Sequence, residues 1–270
     1  TATPIPRTLA LTVYGDLDIS IIRQLPEGRR PITTYWVKEE RRGMVYEFIK
    51  EEVKKRRQVY IVYPRISKGP GSNLKAATSM YNKLQDGVFP DLKIALIHGR
   101  MKSEEKEKIM NKFKTGKFNI LVSTIVIEVG IDLPNASLMV IENAERFGLA
   151  QLHQLRGRIG RGNYDSYCIL LGNPKTEAAQ RRFSKMTETQ DGFKIAEEDL
   201  ELRGPGEFFG TRQHGLPELR FGDILKDFEI MEDARKEAFS LVARDTNLSD
   251  PRNYLIKQTL KKRFGTIVYS

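Results

Sequence analysis

Two arginines three residues apart, Arg158 and Arg161, sit among glycines in Gln151–Gly162 (QLHQLRGRIGRG), just beyond an apolar strand pattern. Glycine lets a backbone come close to a ligand, and the planar guanidinium fork matches the charge spread over a transferring phosphoryl group. An arginine aimed at such a group can raise the rate by about 10³–10⁵. The step from Arg158 to Arg161 is near one helical turn, so the spacing turns both guanidinium groups the same way and sends Arg156 elsewhere, toward a surface ion pair. Taken alone, the run also fits a phosphate-binding loop or a disordered nucleic-acid tail.

Other residues with chemical potential precede and follow it. In Glu128–Pro134 (EVGIDLP), Gly130 permits a tight backbone and Asp132 can accept a hydrogen bond from a ribose hydroxyl; an aspartate-capped turn fits the same residues. Ser123 and Thr124, at a strand end, suit a phosphate contact that fixes position without reading sequence, or an N-cap, or both. His98 and Arg100 follow another strand. His98 has no cysteine or carboxylate at metal spacing, which argues against zinc and leaves a strand-end hydrogen bond or a nucleic-acid contact. Further on, Arg182, Arg203 and Gln213 stand out. Arg203 lies four residues after Asp199, the spacing of a surface pair worth about 0.2–0.5 kcal/mol. Glu197, Glu198, Asp199 and Glu201 read as a solvated helix face.

These residues need elements to hold them. Strand patterns cover Thr33–Val37, Val59–Tyr63, Lys93–Ile97, Phe118–Ser123, Ser137–Ile141 and Tyr164–Leu171. Between them, Val45, Phe48, Ile49 and Val53 make one apolar helix face, and Ile109, Met110 and Phe113 another. Ser103 is placed as an N-cap, with Glu104 and Glu105 in the first turn. Such alternation implies an α/β fold with a parallel sheet flanked by helices, and ligands in such sheets gather at the carboxyl ends of strands. His98–Arg100, Ser123–Thr124 and Glu142–Phe147 all follow strands. Beyond residue 172 the pattern turns helical, with helices over Lys175–Thr187 and Ile195–Arg203, a stop at Gly204-Pro205-Gly206, and a long amphipathic helix marked by Ile224, Phe228, Met231, Ala234, Ala238 and Leu241. Asp250-Pro251 starts a last, basic helix. The Pro64–Asn73 loop reads as the most mobile part of the first domain. The organisation expected is a domain over 1–172, a helical hairpin and loop over 173–220, and C-terminal helices over 221–270.

With 45 basic against 35 acidic residues and a net charge of +10, the chain suits a polyanionic partner, most simply nucleic acid. Cys168 stands in an apolar run and reads as a small buried hydrophobe in a reducing compartment. No stretch approaches the roughly 18 apolar residues of a membrane span, so a cytoplasmic location without a membrane partner is expected.

The ordered set Thr1–Arg7 (TATPIPR), Ser123–Asp132 (STIVIEVGID) and the arginine run resembles motifs III, V and VI of superfamily 2 helicases and translocases. Thr1–Leu9, Tyr14–Ile22 (YGDLDISII), Val140–Gly162 and Asp191–Gln213 (DGFKIAEEDLELRGPGEFFGTRQ) narrow it: nearly the whole chain resembles the C-terminal half of the RecG family, bacterial ATP-dependent translocases that remodel branched double-stranded DNA at forks and Holliday junctions in repair and recombination. That resemblance implies a RecA-like second motor domain up to about residue 172. It implies Arg158 and Arg161 as arginine fingers, Gly130, Asp132 and Gln154 at the ATP, and His98, Arg100, Ser123 and Thr124 at the DNA. Arg182, Arg203 and Gln213 belong, on the same resemblance, to a hairpin and loop coupling motor closure to duplex movement. A G-x-x-x-x-G-K-[ST] loop and an acidic magnesium site are absent from these residues. ATP and Mg²⁺ are therefore expected to be held mainly by a first motor domain in an N-terminal half of the same protein, and this chain alone to hydrolyse no ATP. A monomeric, nucleoid-associated enzyme is expected. The transcription-repair coupling translocase, which shares LAQLHQLRGR, and a non-catalytic basic DNA-binding module are the rival readings.

Overall fold

The computed structural model describes residues 30–64, 78–124, 133–203 and 227–264, which fall into two compact units, 30–203 and 227–264. In the first, β1 (Ile32–Val37), β2 (Gln58–Val62), β3 (Ile94–Ile97), β4 (Ile120–Ser123), β5 (Ala136–Glu142) and β6 (Ser166–Leu171) form one sheet in the order β1-β6-β5-β2-β4-β3, every pairing parallel. β6 starts two residues later than the apolar run suggests, because Tyr164 lies outside the ladder with the Arg57 guanidinium 3.1 Å from its ring centre.

The helices of this unit are α1 (Arg42–Lys54), α2 (Ser103–Lys114), α3 (Leu149–Arg156), α4 (Glu177–Glu188) and α5 (Gly192–Arg203), with a further π-helical stretch at Lys83–Val88. They cover both faces of the sheet, and that is why β2, β4 and β5 are buried at every position and read as continuous apolar runs. Alternate residues go to opposite faces. Val59 and Ile61 pack with Val45 and Ile49 of α1 and with Leu84 and Phe89. Tyr60, Val62, Leu121 and Met139 pack with Met110 and Phe113 of α2, Leu152 and Leu155 of α3, and Phe183 and Met186 of α4.

Three local expectations change. Ser103 is already helical, and the cap position of α2 is Lys102, whose side chain makes no capping bond. Gly192 lies inside α5 instead of between helices, because the Asp191 carboxylate accepts the Phe193 N–H at 2.8 Å and starts the helix there. The acidic face of α5 is not uniformly solvated: Asp199 is buried, and Glu198 pairs across to Arg181 at 2.6 Å and Lys185 at 3.2 Å on α4. These ion pairs zip α4 and α5 into a hairpin whose Phe183, Met186 and Ile195 enter the sheet's own core. Trp36 holds its edge, donating to the Gly172 carbonyl at 3.0 Å and meeting Phe183 edge-on at 5.6 Å between ring centres.

In the second unit, α6 (Phe228–Arg244) and α7 (Tyr254–Phe264) flank an acid-capped turn. Asp245 accepts the N–H groups of Ser249 at 2.7 Å and Asp250 at 2.9 Å, and Asp250 accepts that of Arg252 at 2.9 Å, with Pro251 at the first position of the short turn before α7. Thr1–Arg7, Tyr14–Ile22, the Gly69–Gly71 loop, Gly204–Gly206, Ile224 and the side chain of Arg203 lie outside the described residues.

Candidate functional site

The arginine segment is not helical where it matters. α3 ends at Arg156, and Arg158 and Arg161 lie in the turn that follows, so helical spacing is not what relates them. The glycines are. Gly160 has φ +73°, a left-handed backbone, and a Cβ there would meet Ile32 Cγ1 at 2.8 Å. A Cβ on Gly162 would run into the carbonyl oxygen of Pro134. The turn therefore lies directly against β1 and the segment before β5, which side chains at these two positions would prevent. Both arginines still act on one group. Burial pushes the Tyr60 hydroxyl above the ordinary tyrosine range, and the positive charges of Arg158 and Arg161 both pull it back. Arg158 is half-buried, and its guanidinium makes no hydrogen bond or ion pair among the described residues; Arg161 is exposed. Gln154 is half-buried on α3, four residues before Arg158. Gly130 and Asp132 lie outside the described residues, as does Gln213.

A second group sits at the carboxyl ends of β3 and β4. Ile97 and Ser123 are paired in register, and the Thr124 N–H donates to the Ile97 carbonyl at 3.3 Å, so His98 and Thr124 leave the sheet side by side. Arg100 is exposed, Thr124 half-buried, and Ser123 fully buried, its carbonyl accepting the Tyr63 N–H at 2.8 Å. His98 Nδ1 is buried and finds no partner among the described residues.

A third group lies past β5, in the Glu142–Phe147 segment that the sequence placed after a strand, but its partners on other elements were not visible there. Glu142 ends β5 fully buried; Arg42 Nη1 of α1 donates to its Oε1 at 2.6 Å and to the Tyr46 hydroxyl at 3.1 Å. Burial works against the Arg42 charge, but the hydrogen bond and charge of Glu142 outweigh it and hold Arg42 above the usual arginine range. Three residues on, Arg182 Nη2 of α4 donates to the Glu145 carbonyl at 3.1 Å. Arg156, expected in a surface pair, is instead 2% exposed and bonded to the end of α4. Apart from Tyr46, one helical turn from Arg42, nothing local signals these contacts, because the other partners lie 30 to 100 residues away in the chain.

Comparison with known proteins settles the family. The helicase conserved C-terminal domain matches residues 40–163, and the ATP-dependent DNA helicase RecG domain 3 C-terminal family matches 189–268. RecG of Streptococcus pneumoniae, described as an ATP-dependent DNA helicase, is 50% identical over 97% of this chain and 39% of its own length. The chain belongs to the RecG family. The Bacillus subtilis RecG is 46% identical over 97% of the chain and 38% of its own length, so the chain spans about two fifths of the curated relatives it matches. A solved structure of RecG bound to a three-way DNA junction matches with a TM-score of 0.67 and 49% identity, covering 85% of this chain and 30% of that one. The RecG match makes the parallel sheet a RecA-like motor fold followed by helices. No described helix of this RecG relative is long and apolar enough to cross a membrane, and among the described residues no cluster of His, Cys, Asp and Glu is placed to hold a metal ion.

Proposed function

We propose that this chain is the half of an ATP-driven DNA motor that completes a shared nucleotide pocket and carries the coupling hairpin. The observation that carries the reading is the pair Arg158 and Arg161, both acting electrostatically on Tyr60, with the half-buried Arg158 fork unspent on any described neighbour. A half-buried guanidinium whose fork meets no described neighbour keeps its donors for an anion, which fits a phosphate. ATP with Mg²⁺, held mainly by a first motor domain, supplies the free energy of phosphoryl transfer. This chain's arginines stabilise charge on the transferring group, while Gln154, Gly130 and Asp132 line the same cleft. A RecA-like motor over 1–172, a coupling hairpin and loop over 173–220 and terminal helices over 221–270 divide the work.

On this reading His98, Arg100 and Thr124 face the phosphate backbone at the carboxyl ends of β3 and β4, with Ser123 supporting them from below. Arg182, Arg203 and Gln213 couple cleft closure to movement of duplex DNA. The substrate is branched double-stranded DNA, forks and Holliday junctions, as the junction-bound relative suggests. The enzyme works as a monomer on chromosomal DNA in the bacterial cytoplasm. The RecG-specific match over 189–268 favours this over the transcription-repair coupling translocase.

The test is Arg158→Ala in a protein joining this chain to its first motor half. DNA-stimulated ATP hydrolysis is expected to fall about 10³-fold or more while junction binding is largely kept. Undiminished hydrolysis would leave a DNA-binding module without a catalytic role.

A further inference from the structure

Helix α4 is held by arginines at two places, and both holds lead to the segment that carries the arginine pair. At one, Arg182 of α4 donates to the Glu145 carbonyl, in the turn just before α3. At the other, Arg156, the last residue of α3, donates from Nη1 to the carbonyls of Met186 at 2.8 Å and Thr189 at 2.9 Å, and to Thr34 Oγ1 of β1 at 3.3 Å.

The second hold is chemically unusual. Arg156 is 2% exposed, has no carboxylate partner among the described residues, and its Nη2 is buried without an acceptor. What offsets the charge is the carbonyl end of α4, where unpaired C=O groups and the helix dipole are negative. Burying a guanidinium in this way is expensive, and an apolar side chain of similar length often serves stability as well or better. The neighbouring Leu155, Phe183 and Met186 already glue the elements together. What they lack is direction: apolar surfaces tolerate small sliding, whereas hydrogen bonds to two carbonyls and a hydroxyl fix one position.

We propose that Arg156 is a positioning residue that locks the arginine turn to the hairpin. It stands two residues before Arg158 and grips the end of the first hairpin helix, so a displacement of Arg158 reaches α4 as a rigid movement and is not absorbed at the seam between α3 and α4. The proposal rests on the motor reading above. Arg158 and Arg161 keep their own seating through Gly160 and Gly162, so hydrolysis itself does not depend on the lock.

The experiment uses this chain joined to its first motor half, with three readouts: melting temperature, DNA-stimulated ATPase, and third-strand displacement from duplex DNA per ATP hydrolysed. Arg156→Met keeps the apolar stem and removes the bonds. It is expected to fold, to retain ATPase within about twofold, and to displace at least about 5-fold less per ATP, the low end of a coupling between sites. Arg156→Lys restores a compact donor and is expected to recover more than half of the lost displacement. If ATPase and displacement fall in equal proportion in Arg156→Met, or neither falls, the proposal is overturned. Should that variant not fold, the ratio is read on Arg156→Leu, which also removes the bonds, and displacement per ATP equal to wild type overturns the proposal. A wild-type protein without DNA-stimulated ATPase sinks the motor reading, and the proposal with it; an active wild type with coupled variants sinks the proposal alone.

Discussion

Glycine at position 162 is set by a collision between main chains: a methyl there meets the Pro134 carbonyl oxygen, which cannot rotate away as a side chain would. Gly162→Ala therefore forces the turn or the segment before β5 to move, at about 1–3 kcal/mol for an overpacked site. In a unit of this size each kcal/mol lowers the melting temperature by about 2–4 °C. Because Arg161 is the preceding residue, ATP hydrolysis in the joined protein is expected to fall further than the lost stability explains. Gly43→Ala is the control, since it lies in α1 with nothing within 4 Å of its Cβ, and replacing a helical glycine there is expected to stabilise by up to about 1 kcal/mol. Thermal melts beside ATPase rates decide it; equal melts for Gly162→Ala and wild type would contradict the collision. At this scale the sequence showed which residues are chemical but not what they touch. The arginine and glycine pattern was legible because it is contiguous. Tyr60, Arg42 with Glu142, and the burial of Arg156 were not, since each depends on residues brought together only by the sheet.

Elements were more legible than contacts. Six apolar runs became six strands because a parallel sheet covered on both faces demands continuous apolarity, and that signal is local. Errors fell at ends, where one hydrogen bond decides: Lys102 rather than Ser103 precedes α2, and Asp191 carries α5 back over Gly192. Asp250-Pro251, expected to start the last helix, caps and opens the short turn Pro251–Asn253 that leads into it at Tyr254, and the chemistry of that cap has a pH consequence. The Arg252 side chain, then the Arg252 N–H, hold Asp250 down to about 2, and the N–H groups of Ser249 and Asp250, then Asn253, hold Asp245 below the ordinary aspartate range. A carboxylate whose folded pKa is lowered stabilises fully above its unfolded value, and that contribution disappears as pH falls through the folded one. The turn between α6 and α7 is thus expected to loosen between the usual 3.8 and about 2. Amide exchange at Arg252 and Asn253 across that range checks it, and Asp250→Asn is expected to flatten the response. Protection that stays constant in wild type down to pH 2 rules the cap out as a source of order.

For the molecule as a whole, net charge and motif order pointed to a nucleic-acid motor, but neither says which surface meets the duplex. A charge of +10 spread over 270 residues is felt only within about 8 Å at physiological salt, so position counts for more than total. The structure places His98 and Thr124 side by side at the carboxyl ends of β3 and β4, with exposed Arg100 two residues past His98, and on the proposed reading a phosphate of the duplex meets them there. Each phosphate neutralised on B-DNA contributes about 0.9 to the slope of log affinity against log salt. Arg100→Ala is therefore expected to lower that slope by about 0.9 and to weaken linear duplex and three-way junction alike, because phosphate contacts carry no sequence or branch information. Fluorescence anisotropy of a labelled junction and a matching linear duplex, titrated from 50 to 200 mM KCl (roughly the range over which phosphate contacts are most visible), measures both. A slope unchanged by the substitution puts the duplex on another face, and a loss confined to the junction makes Arg100 a reader of branch geometry instead of a backbone contact.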